Sequence, residues 1–324
     1  MLASLLVPAV LSVSQGAASV PNIVVFFGDD WGYGDLGANS PEGAGLTPHL
    51  DALAEGGLRF TDFHVAASVC TPSRAGLLTG RLGLRTGVYK NFGTDSKGGL
   101  PLNETTIAEL LKQPGADGAP SAWTTGMVGK WHLGTANGHH PSDRGFDFFV
   151  GLPYSWDMGC GAVPAIMVWP NVANGNNLSE ICPACQRAGA PAPAPTGDEC
   201  CGRKKGSGCP GQTIGVPLFH NRTIVEQPVN LDTLSARYGD AAEAFIGNAA
   251  AAGGPFFLYY AAAHMHVPQN HDARWDNASA AARARGAFGA ALMEMDDEVG
   301  RVVAALEAHG VADNTLFLVT GDVS

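Results

Sequence analysis

The sequence predicts an α/β fold around a mostly parallel sheet, because short apolar, β-branched runs alternate with stretches of helical period along the chain. Polar residues of catalytic or metal-ligating type follow directly after four of those runs: Asp29-Asp30, Lys130 with His132, His264 with His266, and Asp322. Ligands of open α/β sheets bind beyond the carboxyl ends of the strands, so four separate strands would bring such residues to one edge.

Taken in order, NIVVFFG over 22–28 is a continuous β-branched and aromatic run, expected to be a strand buried on both faces. Thr47-Pro48 opens a helix with Leu50, Leu53 and Ala54 on one face and Gly56-Gly57 at its end. Another helix opens right after Cys70, where proline at an early position precedes small and apolar residues. A short strand near 124–128, a helix over 231–251 and an apolar strand over 256–262 continue the alternation. A helix through Leu292, Met295, Val299, Val302 and Leu306 and a strand over 315–320 complete it.

With 324 residues, 45% of them hydrophobic, the chain can bury one large core or two modest ones, and its 43 glycines and 21 prolines imply many turns and long loops. A net charge of −11 argues against a nucleic-acid partner, which needs a basic surface. An anionic small substrate is still compatible with it, if a few cations are focused in one cleft.

The first 14 residues, MLASLLVPAVLSVS, are apolar but too short to span a bilayer, and Gly16-Ala17-Ala18-Ser19 follows. Residues 1–19 read as a secretory signal peptide lacking the usual basic start; a buried or frayed terminus is the alternative. No other stretch has the length and apolarity of a membrane span. Sequons at Asn103, Asn177, Asn221 and Asn277 fit the secretory pathway. The stretch 160–210 has little periodicity and holds six of the seven cysteines; it reads as a loop-rich insertion. Its Cys182-Pro-Ala-Cys185 with Cys200, Cys201 and Cys209 imitates a zinc ribbon, while a secreted chain favours disulfides of undetermined pairing.

Cys70 stands apart from that cluster at the opening of a helix, where unpaired backbone N–H groups favour an anion. By residue type alone it is either a nucleophilic thiol or an unpaired buried cysteine. Its segment, Cys70-Thr71-Pro72-Ser73-Arg74 followed by Leu78-Thr79-Gly80-Arg81, resembles the signature of the formylglycine-dependent sulfatases. Gly129-Lys130-Trp131-His132-Leu133-Gly134 and FFGDDWGYGDLG around Asp29-Asp30 resemble two further signatures, and segments as far as Leu292-Met293-Glu294-Met295-Asp296 are similar to the arylsulfatase A type.

The resemblance implies an alkaline-phosphatase-like sandwich, with 20–324 as an incomplete catalytic domain lacking a smaller C-terminal subdomain. It implies a sulfuric ester hydrolase in which Cys70, oxidised by a formylglycine-generating enzyme, supplies a geminal diol that attacks sulfur. A calcium ion would be held by Asp29, Asp30, residue 70 and Asp322. Arg74 and Lys130 would orient the diol and the sulfate, His132 would act as base, His266 would face the leaving oxygen, and Ser155 would bind sulfate. In extended chain, Lys130 and His132 point the same way, as do His264 and His266, of which His264 is the packing member. The location implied is the secretory pathway, lysosomal or extracellular.

One segment departs from the pattern. Relatives place Asn after the last metal-binding Asp, where this chain has Val323, and the downstream lysine is absent. The resemblance therefore implies poor turnover by these 324 residues, with Asp322 in a frayed end. Two alternatives accompany the hydrolase reading: an inactive anion-binding relative, and a phosphatase or phosphodiesterase of the same superfamily with an unmodified nucleophile.

Overall fold

The computed structural model describes residues 20–94, 96–115, 118–158, 216–267 and 269–323. The expected signal peptide, Asn177 and the cysteine-rich stretch lie outside these residues. A seven-stranded sheet runs through the centre in the order β5-β4-β3-β2-β6-β1-β7. Its parallel part comprises β1 (Asn22–Gly28), β2 (Thr124–Lys130), β3 (Phe148–Leu152), β6 (Phe256–Ala261) and β7 (Thr315–Gly321). A hairpin, β4 (Leu218–His220) and β5 (Thr223–Glu226), is added antiparallel at the β3 edge.

Because successive side chains of a strand point to opposite faces, β1 divides its apolar run between two cores. Val24 and Phe26 join α5 (Leu234–Ala252) and α6 (Ala280–Ala308) through Tyr238, Phe245, Leu292 and Val299. Val25 and Phe27 pack on the other face with Ala75 and Leu78 of α2 (Cys70–Thr79), which the short α3 (Gly83–Thr86) follows, and with Ala108 of α4 (Ile107–Leu111). The result is a helix–sheet–helix sandwich. Strands β1, β2, β6 and β7 match the predicted runs. The hairpin and β3 were not predicted: Phe148–Leu152 contains a glycine and follows no clear alternation, and β4 and β5 are only three and four residues long. Helix α6 is also longer than its apolar pattern, and Gly286, at φ 59°, interrupts it near its start.

Helix α1 (Pro48–Gly56) has no side-chain cap of its own at Thr47. Asp296 of α6 supplies it instead, accepting the backbone N–H groups of His49 at 3.0 Å and Leu50 at 2.8 Å. Asp296→Asn keeps the shape but gives up one acceptor and the charge that favours a helix N-terminus. It is expected to lower stability by about 1–2 kcal/mol, read as a shifted urea midpoint at unchanged slope. An unshifted midpoint would show that the cap carries no stability.

Candidate active site

The carboxyl ends of the strands bring the predicted residues together. Asp29 and Asp30 follow β1, Asp322 follows its neighbour β7, Lys130 ends β2, and the 264–266 turn follows β6, which lies between β1 and β2. Gly129 permits this close approach. Its φ is +107°, and a side chain there would run into the Ala261 carbonyl. Asp322 is not frayed as expected. The β1–β7 register holds from Asn22–Thr315 to Gly28–Gly321, the Asp322 N–H then donates to the Gly28 carbonyl at 2.9 Å, and the side chain is fully buried.

At the centre lies a buried charge network. Arg74, one turn into α2, donates to Asp29 Oδ1 at 3.0 Å, to Asp322 Oδ2 from both Nε (3.1 Å) and Nη2 (2.9 Å), and to the Lys130 carbonyl at 2.8 Å. Lys130 Nζ lies 2.6 Å from Asp29 Oδ2. Arg74, expected to orient diol and sulfate, also holds the two carboxylates. Burial pushes the Asp29 carboxyl up, but Lys130 and Arg74 outweigh it and lower the pKa to about 2. Burial beside Asp29 drives Asp322 the other way, to about 6, despite Arg74.

Cys70 is the first residue of α2 and is buried. Its sulfur meets ligand atoms of Asp29 and Asp322 in one group, and of Asp30 and His266 in another, with all atoms of each group within 4.8 Å of one another. Burial raises the thiol to about 12, against the pull of Lys130, so an unmodified Cys70 is a neutral thiol.

His132 does not continue β2 in extended form; its φ is 60°, so the alternation that aligned it with Lys130 does not apply. Its Nε2–H donates to the Phe92 carbonyl at 3.0 Å, which leaves Nδ1 as the bare nitrogen, buried and without a hydrogen-bond partner among the described residues. Burial, then Lys130 and Arg74, depress its pKa well below the usual histidine value, so the ring is a neutral base. The 264–266 segment is likewise a turn, and its two histidines point apart. His266 offers Nε2 toward Asp30 at 3.5 Å, with Nδ1 held by the Val267 carbonyl at 2.6 Å. His264 faces Glu294 and Glu298 in the core, as befits the packing member. Ser155, just beyond β3, is buried, and its Oγ has no hydrogen-bond partner among the described residues.

Some contributors carry no signal in sequence. Asn91 Oδ1 accepts the Thr71 N–H at 2.9 Å in the first turn of α2, and the Phe92 carbonyl sets the His132 tautomer. Both lie in an aperiodic loop, where only the fold shows what they meet.

The carboxylates suit a divalent cation. Asp29 and Asp322 pair with Arg74 and Lys130 while Asp30 faces His266, so among the described residues three carboxylates meet two permanent cations, one positive charge too few. A divalent ion turns that deficit into a surplus of +1, which favours an anionic ligand.

A family model described as sulfatase matches residues 21–322. The chain belongs to the sulfatase family. Arylsulfatase G of Homo sapiens is 46% identical over 302 residues, covering 93% of this chain and 51% of that protein. Arylsulfatase A of Homo sapiens is 40% identical over 316 residues, covering 96% and 54%. This sulfatase chain thus spans about half the length of these curated relatives. Among solved structures, the PsFucS1 sulfatase from Pseudoalteromonas sp. matches with a TM-score of 0.67 at 27% identity, over 93% of this chain and 55% of that one. Phosphonate monoester hydrolase of Agrobacterium radiobacter, 17% identical with a TM-score of 0.52, shares the fold alone. The sandwich is therefore the alkaline-phosphatase-like architecture of sulfatases.

Proposed function

We propose that this sulfatase hydrolyses sulfate monoesters of the arylsulfatase kind, with Cys70 converted to formylglycine and a calcium ion bound by Asp29, Asp30, Asp322 and residue 70. The observation that carries the reading is the placement of Cys70 at the start of α2, within reach of three carboxylates while Arg74 and Lys130 pair with two of them. Oxygen donors of this kind suit calcium. When bound, the ion supplies Lewis-acid polarisation, and the hydrated aldehyde supplies a hydroxyl nucleophile for sulfur.

The chain's own side chains account for the other requirements. Lys130 and Arg74 place fixed positive charge beside the sulfate oxygens, where a buried site makes it count for more than in water. Ser155 Oγ, without another partner among the described residues, donates to one of those oxygens. His132, neutral with Nδ1 bare, accepts the proton released when the aldehyde re-forms. His266 keeps its Nδ1–H on the Val267 carbonyl, so Nε2 protonates the departing alcohol oxygen from the imidazolium form and is left as the neutral ring. Maturation calls for a formylglycine-generating enzyme as partner. The apolar start of the chain and exposed sequon residues Asn103, Asn221 and Asn277 support a secretory route ending in the lysosome or outside the cell. Among the described residues no helix is long and apolar enough to cross a membrane.

The test has two stages. After co-expression with a formylglycine-generating enzyme, the peptide holding residue 70 is expected to carry the aldehyde mass. An aryl sulfate is then expected to be turned over much faster than the matching phosphate. A peptide that stays a thiol, or a preference for the phosphate, would overturn the reading.

A further inference from the structure

Behind the site lies a buried polar cluster that the hydrolytic steps do not use. His264, Glu294 and Glu298 are each no more than 3% exposed. The imidazole meets Glu294 Oε2 at 3.2 Å and the Asn270 carbonyl at 3.1 Å through Nε2, and approaches Glu298 Oε1 at 3.8 Å and Ser235 Oγ at 3.4 Å through Nδ1. Trp156 packs edge-on against the ring at a centroid distance of 5.3 Å. Burial opposes charge on His264, but the hydrogen bond to Glu294 and the charge of Glu298 outweigh it and raise its pKa. Replacing buried ionic groups by apolar ones is often neutral or stabilising, so stability alone is weak grounds for placing an imidazole between two carboxylates here.

The backbone around His264 supplies another reason. The Asp29 N–H donates to the His264 carbonyl at 2.7 Å, and the Met265 N–H donates back to the Asp29 carbonyl. The residue whose carboxylate pairs with both Arg74 and Lys130 is thus clamped on both sides by the turn that His264 anchors. That turn ends in His266, which faces Asp30. Trp156, packed on the same imidazole, directly follows Ser155 and donates from Nε1 to the Val267 carbonyl at 3.2 Å. One side chain therefore touches the supports of Asp29, Ser155 and His266, which arrive from different strands.

We propose that His264, locked between Glu294, Asn270 and Trp156, is a positioning residue that fixes the 264–266 turn and through it sets Asp29 and His266. What it positions them for rests on the sulfate ester hydrolase reading above. That it holds them does not.

The test compares residue-resolved amide exchange and steady-state turnover in the wild-type chain, His264→Leu and His264→Gln. In His264→Leu the Asp29 and Met265 amides are expected to exchange at least about tenfold faster, while those of Val24 to Phe27 in β1 stay unchanged. Turnover is expected to fall in kcat by about tenfold or more with KM altered less than about threefold, since misplaced groups cost rate more than binding. His264→Gln, which can still donate to Glu294, is expected to recover much of both. If His264→Leu does not fold, Glu294→Gln takes its place, with the same two amides read. Unchanged exchange at Asp29 and Met265, or faster exchange spread evenly along β1, would overturn the proposal, the latter by showing a purely global role. A wild-type chain that turns over no sulfate ester would sink the hydrolase reading, leaving amide exchange to decide this one.

Discussion

Replacing Cys70 by alanine is expected to lower aryl sulfate turnover by at least about 10³-fold, the scale on which enzymes lose rate when the nucleophile goes. Stability should change far less. Cys70 is buried, yet it makes no hydrogen bond to the charge network, whose contacts run among Arg74, Lys130, Asp29 and Asp322. Loss of one sulfur from a small side chain costs only about 1 kcal/mol. Cys70→Ser is the informative companion, because it restores a hydroxyl at the head of α2 without an aldehyde. It should be as inactive as the alanine variant if the geminal diol is required. The measurement is kcat for one aryl sulfate alongside the thermal midpoint of each variant. Turnover retained in Cys70→Ala would remove the nucleophile from the scheme.

How much of this could be read beforehand follows from the physics of each signal. Strands β1, β2, β6 and β7 are legible because a strand covered on both faces needs an unbroken apolar run, and the polar residues at their ends inherit their positions from the strands. The short β4 and β5 carry too few residues for a pattern, and their pairing with β3 is set by tertiary contact. At the site, the identities of Asp29, Asp30, Cys70, Arg74, Lys130, His132 and Asp322 were legible, but their partners were not. Arg74 stands one turn from Cys70; only the fold shows its guanidinium taken up by Asp29, Asp322 and the Lys130 carbonyl.

Direction was the weaker inference. Alternation applies to extended backbone, and the chain leaves it immediately after the strands, at positive φ for Asp30 and His132 and in a turn at 264–265. That is why His264 and His266, two apart, serve opposite sides of β6's end. The expected fraying of Asp322 failed for a related reason. Position near the end of the sequence says little when the preceding strand is paired along its whole length and the side chain itself is held by Arg74.

Arg74→Met is expected to be the most destabilising single change at the site, at about 3–5 kcal/mol near neutral pH. Methionine keeps most of the length and still fits over the Phe27 ring, against which the guanidinium now sits 5.4 Å from the centroid, so the cavity contribution is small. The cost is electrostatic: Asp29 and Asp322 would face each other fully buried, with Lys130 as the remaining cation and in contact with Asp29 alone. Asp322 would then hold its proton more firmly than it does now, when Arg74 already fails to bring it down to the ordinary carboxylate value of 3.8. The sign follows from a folded-state pKa above the unfolded one. The folded form binds the extra proton, so its stability is fully present below about 3.8 and is lost as pH rises through the folded value. Urea midpoints of Arg74→Met should therefore fall relative to wild type from acid toward neutral pH. Millimolar calcium should restore part of the loss at neutral pH, because a cation bound to the folded state by the two freed carboxylates stabilises it by mass action. Restoration by calcium but not by equal ionic strength of sodium chloride would tie the carboxylates to a divalent ion. Equal effects of the two salts would show general screening and count against the metal site.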